Sequence, residues 1–279
     1  MALVTCPECN SDEDIHVDAK LDDGRLQVRC GDCGAGWMHG VVKAPTPASM
    51  SSFDKAWLKF PTSAMVTSGR AARVEELKRQ FLAMKPVEDP AVAPYWRHYQ
   101  QVFSHDGLWT CKPQDLKDFA NSDVGANPGN MSVFNTAWNQ MGEAAAVEQV
   151  RSTIDYLLHG PDSIPLEDRL THLIVGHKGM GMTGFRESLL TRVLCVVKPD
   201  EFLPILTYSG AGTGKRDITR AVFGLNMPQQ DQVSMQIGRL ALWSNNLLLD
   251  LAGDGFASCQ RASAFLWWAK DQHLGAEAV

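Results

Sequence analysis

Four cysteines in the first 33 residues, spaced Cys6-x2-Cys9 and Cys30-x2-Cys33 with twenty residues between the pairs, constrain this chain more than any other feature. Each Cys-x-x-Cys can turn two thiolates toward one ion, and the intervening segment is long enough for a hairpin that folds the pairs into one tetrahedral sulfur set. The spacing predicts a small β zinc ribbon over residues 1–42, with one structural Zn2+ per chain held by Cys6, Cys9, Cys30 and Cys33. Four thiolates close the coordination sphere, so such an ion serves folding and leaves no open position for catalysis.

Two disulfides, or a redox Cys-x-x-Cys, compete with this reading. The sequence opens Met-Ala-Leu-Val-Thr, without the basic and apolar regions of an export signal, and no apolar run reaches bilayer-spanning length. A cytoplasmic location, reducing for thiols and with no membrane partner, is therefore expected. A thioredoxin-like motif would open a helix in a strand-helix-strand unit, whereas here Asn10 and Gly34 follow the second cysteines as turn residues of metal knuckles would. Cys111, Cys195 and Cys259 have no pair spacing, and Cys195, inside the apolar run Val193–Val197, reads as a small core residue. With four sulfurs filling the site, His16 and His39 take surface or packing roles.

Charge is spread unevenly. Residues 1–40 carry three basic and eight acidic side chains, a net of −5; residues 41–120 carry eleven and eight, a net of +3; the remainder nets −4. Phosphate binding draws on Lys and Arg for its nonspecific affinity, so the acidic ribbon suits a protein partner better than a nucleic acid.

Lys43 to Ser52 is rich in Pro, Ser and Thr and lacks apolar periodicity, which predicts a linker over residues 43–53. Beyond it, residues 54–279 read as one mainly α-helical domain. Apolar residues three to four apart predict helices at Arg70–Lys85, Tyr95–Phe103, from Ser132 as a cap, Gly142–His159, Pro165–Ile174, Phe185–Val197 with Thr183 as N-cap, Met227–Ala252 and Phe256–Gln272. Outside the ribbon, Phe202–Tyr208 alone suggests a strand. The eight tryptophans, spread along these helices, read as packing residues first; Trp267 and Trp268 are adjacent, so one helix stripe cannot bury both.

Two glycine-rich elements could carry chemistry. Ile205–Arg216 brings a Walker A loop to mind, but Ser209 takes the first glycine position and Arg216 stands where the magnesium-binding hydroxyl belongs. Lys215, Arg216 and Arg220 around a helix start remain candidate phosphate contacts; a solvated basic face is the plain alternative. The second element, Gly176–Gly184, places Gly179 and Gly181 between two helical patterns and resembles the hairpin of helix-hairpin-helix DNA binders. That resemblance implies backbone amides approaching a phosphate at Gly179 and Gly181, flanked by Lys178 and Arg186. Glycines at a tight crossing of two helices would look the same.

The runs Asn127–Trp138, Leu166–Leu170, Gly179–Phe185, Lys198–Ile205 and Trp243–Leu249, taken together, resemble the non-catalytic helical regions that accompany ATPase and nuclease domains in bacterial modification-dependent (type IV) restriction proteins. A pattern of glycine turn, helix and hydrophobic-Pro-Asp-x-Phe-x-Pro-Ile recurs there, and the likeness spans roughly residues 95–270. It implies target recognition or assembly in a defence system. The departures are complete Walker motifs, a His-Asn-His signature and an Asp/Glu-x-Lys nuclease core, none of which this sequence carries. His177 beside Lys178, and Asp168 with His172 one helical turn apart, are the acid-base pairs on offer, and such pairs are more often surface ion pairs. The expectation is therefore a recognition module without catalytic residues. It binds nucleic acid, DNA in the first instance, through Lys178, Gly179, Gly181, Arg186, Lys215, Arg216 and Arg220, and a protein through its ribbon. A protein-only adaptor and a degenerate P-loop-like nucleotide-binding enzyme are the alternatives.

Overall fold

Short β-prone runs on either side of the second cysteine pair build a three-stranded antiparallel sheet in a computed structural model that describes residues 5–9, 11, 14–20, 25–39, 52–210, 212–233 and 236–276. The strands are β1 (Ile15–Lys20), β2 (Leu26–Cys30) and β3 (Gly36–His39). Val17 pairs with Val28 and Val28 with Trp37, which gives the sheet one apolar row. The register slips between Val17 and Ala19, and the extra residue, Asp18, accepts from the Arg29 guanidinium at 2.9 Å. Asn10 and residues 43–51 of the expected linker lie outside the described residues. The chain divides into two units, Met1–Leu58 and Lys59–Val279; the first also holds α1 (Ser52–Trp57).

The second unit is helical. Its early helices are α2 (Ser68–Ala83), α3 (Val92–Val102), α4 (His105–Thr110), α5 (Pro113–Asn121) and α6 (Ser132–Met141). The later ones are α7 (Glu143–His159), α8 (Leu166–Val175), α9 (Glu187–Val197), α10 (Lys215–Ile218), α11 (Ile237–Ala252) and α12 (Cys259–Ala276). Thr67 caps α2 and Ser104 caps α4 by accepting amides three residues on, and Pro113 opens α5 where a missing N–H costs nothing. α8 ends on left-handed Gly176. The mainly α architecture with a small N-terminal β unit is as the sequence predicts.

Two apolar cores form. Phe103, Phe119, Phe134, Ile154, Leu170 and Phe185 belong to one, built mainly from α3 and α5–α9. Leu77, Phe81, Val222, Leu248, Phe265 and Leu266 belong to the other, from α2, α11, α12 and the π-helical turn Thr219–Phe223 that continues α10. α8 and α11 meet closely at Gly238, where a Cβ would lie 2.0 Å from the Glu167 carbonyl oxygen.

Four expectations need correction. Phe202–Tyr208 forms no strand; it is a buried irregular segment whose backbone is satisfied by side chains, with Leu203 N–H donating to Asn245 and Tyr208 N–H to Glu187. α11 begins at Ile237 rather than near Met227, because Pro228 cannot continue a helix and its carbonyl instead accepts the Tyr208 hydroxyl. Arg186, not Thr183, holds the N-cap position of α9. Ser132 begins α6 without capping it; its amide donates to the Asn130 side chain.

Candidate metal centre and the basic turns

The sheet puts both Cys-x-x-Cys turns at one end, and the Sγ atoms of Cys6, Cys9, Cys30 and Cys33 all lie within 4.8 Å of one another. The close approaches cross between the turns: Cys6 to Cys33 at 3.6 Å and Cys9 to Cys30 at 3.6 Å. Metal–sulfur bonds of about 2.3 Å at tetrahedral angles require sulfurs about 3.8 Å apart, against about 2.05 Å in a disulfide. The four thiols are thus set for one ion. Each turn is tied down by its backbone: Cys6 N–H donates to the Ser11 carbonyl, Cys30 N–H to Ala35, and Gly34 N–H back to Cys30. Gly34 turns with a φ of 75°, where a side chain would be strained.

Crowding sets the thiols against one another. Burial pushes Cys6 up, but the amides of Cys9 and Glu8 and the neighbouring thiols outweigh it and bring it down to about 7. Cys9 moves the other way, to about 12: a backbone bond at Ser11 opposes the rise, and the Cys33, Cys30 and Cys6 thiols with burial drive it. Four sulfurs at this spacing ionise together only around a cation, which reverses the local balance. His16 pairs with Asp14 at 2.8 Å and is not drawn into the set.

The Gly176–Gly184 turn is held from within. The Arg186 guanidinium donates to the Leu173 carbonyl at 2.5 Å, closing the end of α8, and a Cβ on Gly176 would stand 3.1 Å from it. Arg186 is therefore a structural tie for this turn rather than a flank of a phosphate contact. Lys178 is exposed, in a left-handed conformation at φ 49°, with Gly179 exposed beside it and Gly181 half-buried. Asp168 and His172 do not pair: Asp168 takes a two-pronged bond from Arg239 at 3.1 and 3.3 Å, and His172 meets the Tyr156 hydroxyl at 2.8 Å and stacks on His177.

The Ile205–Arg216 element differs most from its sequence reading. The amides of Thr213 and Gly214 donate to Gly210, those of Lys215 and Arg216 to Thr207 and Tyr208, and that of Gly212 to the Asp217 carboxylate. A phosphate cradle needs such amides free. Lys215, 1% exposed, turns into the core, where its Nζ approaches the Ala241 carbonyl at 3.3 Å. Burial lowers its pKa, opposed by the nearby Glu187 carboxylate and Cys195. Burial likewise raises Glu187, against the pull of the Tyr208 amide and Lys215. The lysine's hydrogen-bond partner is the Ala241 carbonyl, and its burial removes it from the set of surface contacts. Arg216 is half-buried near Ser209, and exposed Arg220 pairs with Asp217 at 3.2 Å.

A further buried cation organises the body. Arg192 on α9, 1% exposed, donates to the carbonyls of Phe119, Ser122 and Val124 at 2.6, 2.6 and 2.9 Å and lies against the Tyr95 and Phe119 rings. Its sequence signal is a single charged residue inside the otherwise uncharged, mostly apolar run Leu189–Val197. No protein-family model, curated protein or solved structure matches this chain. Among the described residues no helix is long and apolar enough to cross a membrane.

Proposed function

We propose that this chain is a recognition adaptor whose N-terminal unit is a zinc ribbon that docks a basic partner protein. The observation that carries the reading is the four-sulfur cluster, with atoms within 4.8 Å on two turns of one small sheet. An all-thiolate tetrahedral set favours Zn2+ over magnesium or calcium, which take oxygen, and a closed set makes the ion structural. The docking surface combines the net −5 of residues 1–40 with exposed Val17 and Met38. A cytoplasmic location and a place in a bacterial restriction or defence system belong to the same proposal; the second rests on the resemblance over residues 95–270.

Nucleic-acid binding is the second reading, favoured by exposed Lys178 on its glycine turn and by exposed Arg220. Lys215 would take no part, because its ammonium faces a carbonyl in the core. The two readings separate in one comparison. A protein captured from host extract by the full-length chain, and lost with Glu8→Lys/Asp18→Lys or with raised salt, supports docking through the ribbon. A mobility shift with duplex or single-stranded DNA at low salt, abolished by Lys178→Glu/Arg220→Glu, supports the second reading; no shift at low salt removes it.

A further inference from the structure

The loop at residues 125–129, Pro204, Leu206, Thr207 and Thr213, the start of α9 and one side of α12 line a cleft of about 620 Å³ within the helical unit. That is within the roughly 300–1,000 Å³ of small-molecule sites. α12 fixes both of its rims. Gln260 Nε2 donates to the Gly125 carbonyl at 2.9 Å, and Lys270 Nζ donates to the Gly212 carbonyl at 2.5 Å. The 125–129 loop is further stiffened by the Asn127 side chain, which accepts the Gly129 amide at 2.7 Å. The cleft is thus formed before any ligand arrives.

Its lining is chemically specific. Ser188, Thr207, Thr213 and Ser263 present hydroxyls there, and among the described residues none of the four finds a side-chain hydrogen-bond partner. Gln260 Oε1, buried in the same lining, has no hydrogen-bond partner, which a buried amide oxygen ordinarily finds. Trp267, which also packs on the second core, supplies an aromatic wall, while its neighbour Trp268 packs on Phe81 with ring centres 5.7 Å apart. Every residue lining the cleft is uncharged. A neutral polyol entering would exchange water for fixed hydroxyls and lay its C–H face on an indole; Lys270, bonded to Gly212 at the rim with its Nζ 5.4 Å from the Trp267 ring centre, is the cation beside that wall.

We propose that this cleft binds an uncharged sugar ring, free or carried by a nucleoside, with Trp267 against its apolar face and the four hydroxyls on its edge. The proposal goes beyond the adaptor reading and depends on neither the metal nor a partner protein.

The test uses the full-length protein with glucose, N-acetylglucosamine, adenosine and cytidine, beside glucose 6-phosphate and adenosine monophosphate, followed by saturation-transfer NMR and calorimetry. At least one neutral ring is expected to bind without its phosphate, so that the ring itself and not an anion held by Lys270 carries recognition. Binding of the free sugars identifies the first source, and binding confined to the nucleosides the second. Ala264→Phe, which fills the cleft from an exposed position, should abolish binding at an unchanged melting temperature. Ser263→Ala should weaken it about tenfold, the scale of one lost hydrogen bond. Silence from all four neutral ligands at millimolar concentration, binding confined to the esters, or binding indifferent to both substitutions would overturn the proposal.

Discussion

In the sheet and its cysteine turns, among the described residues, Cys6, Val28 and Cys30 are the buried apolar side chains, and two of them are sulfurs of the cluster. The helical unit instead encloses two cores, with whole rings such as Phe119, Phe134, Phe185 and Phe265 fully withdrawn from water. A unit as small as the first cannot offset its chain entropy by apolar burial, and the energy of a bound ion is then its folding energy. The second has apolar area to spare and uses part of it to bury cations: Lys78, Arg192 and Lys215 each donate to backbone carbonyls inside it. The same polar chemistry thus builds one unit and fastens the other.

The sharpest way to break this contrast is to withhold the ion proposed for the four cysteines. Chelation, or Cys9→Ser, should unfold the sheet outright, since structural zinc contributes on the order of 10 kcal/mol or more in small metal domains. The helical circular-dichroism signal should persist. Amide-resolved NMR before and after chelator reads both, and a helical unit that melts with the sheet would erase the distinction.

Next in size is Lys215→Ala. It removes a fully buried side chain and leaves the Ala241 carbonyl without its donor, and should cost about 2–4 kcal/mol by denaturant titration, with metal content unchanged. A surface role for Lys215 would give less than about 0.5 kcal/mol. Arg192→Met, which strands three carbonyls, should cost about 3 kcal/mol, and again only in the helical unit.

The smallest effect is a pH slope. Burial raises Glu187 above its ordinary 4.5, so the folded chain holds that proton more tightly than the unfolded chain does. Raising the pH through the window above 4.5 therefore removes stability, by at most about 1.4 kcal/mol per unit, and Glu187→Gln should flatten this component. A component of the opposite sign would contradict the assigned burial.

The cysteine cluster was legible because its ligands are close in sequence within each pair and leave a spacing signature. α7 was legible from its apolar stripe and from Gly160-Pro161 as a stop, and α8 from Leu166, Leu170, Leu173 and Ile174. α4 and α5, six and nine residues long, are too short for periodicity to register. Phe202–Tyr208 has the composition of a buried strand, but its hydrogen-bond partners are Asn245 and Glu187, side chains distant in sequence, which no local pattern reveals. Lys215 misleads for the same reason. In a glycine turn beside Arg216 it reads as solvated, and only the fold brings Glu187 and Ala241 to it.

The proposed division between an ion-held ribbon and a self-sufficient helical unit is tested most directly by X-ray absorption at the zinc edge on the full-length protein purified under reducing conditions. One zinc per chain with four sulfur neighbours at about 2.3 Å is the expected result. A metal-free chain with a folded sheet, or a first shell containing nitrogen or oxygen, would contradict it.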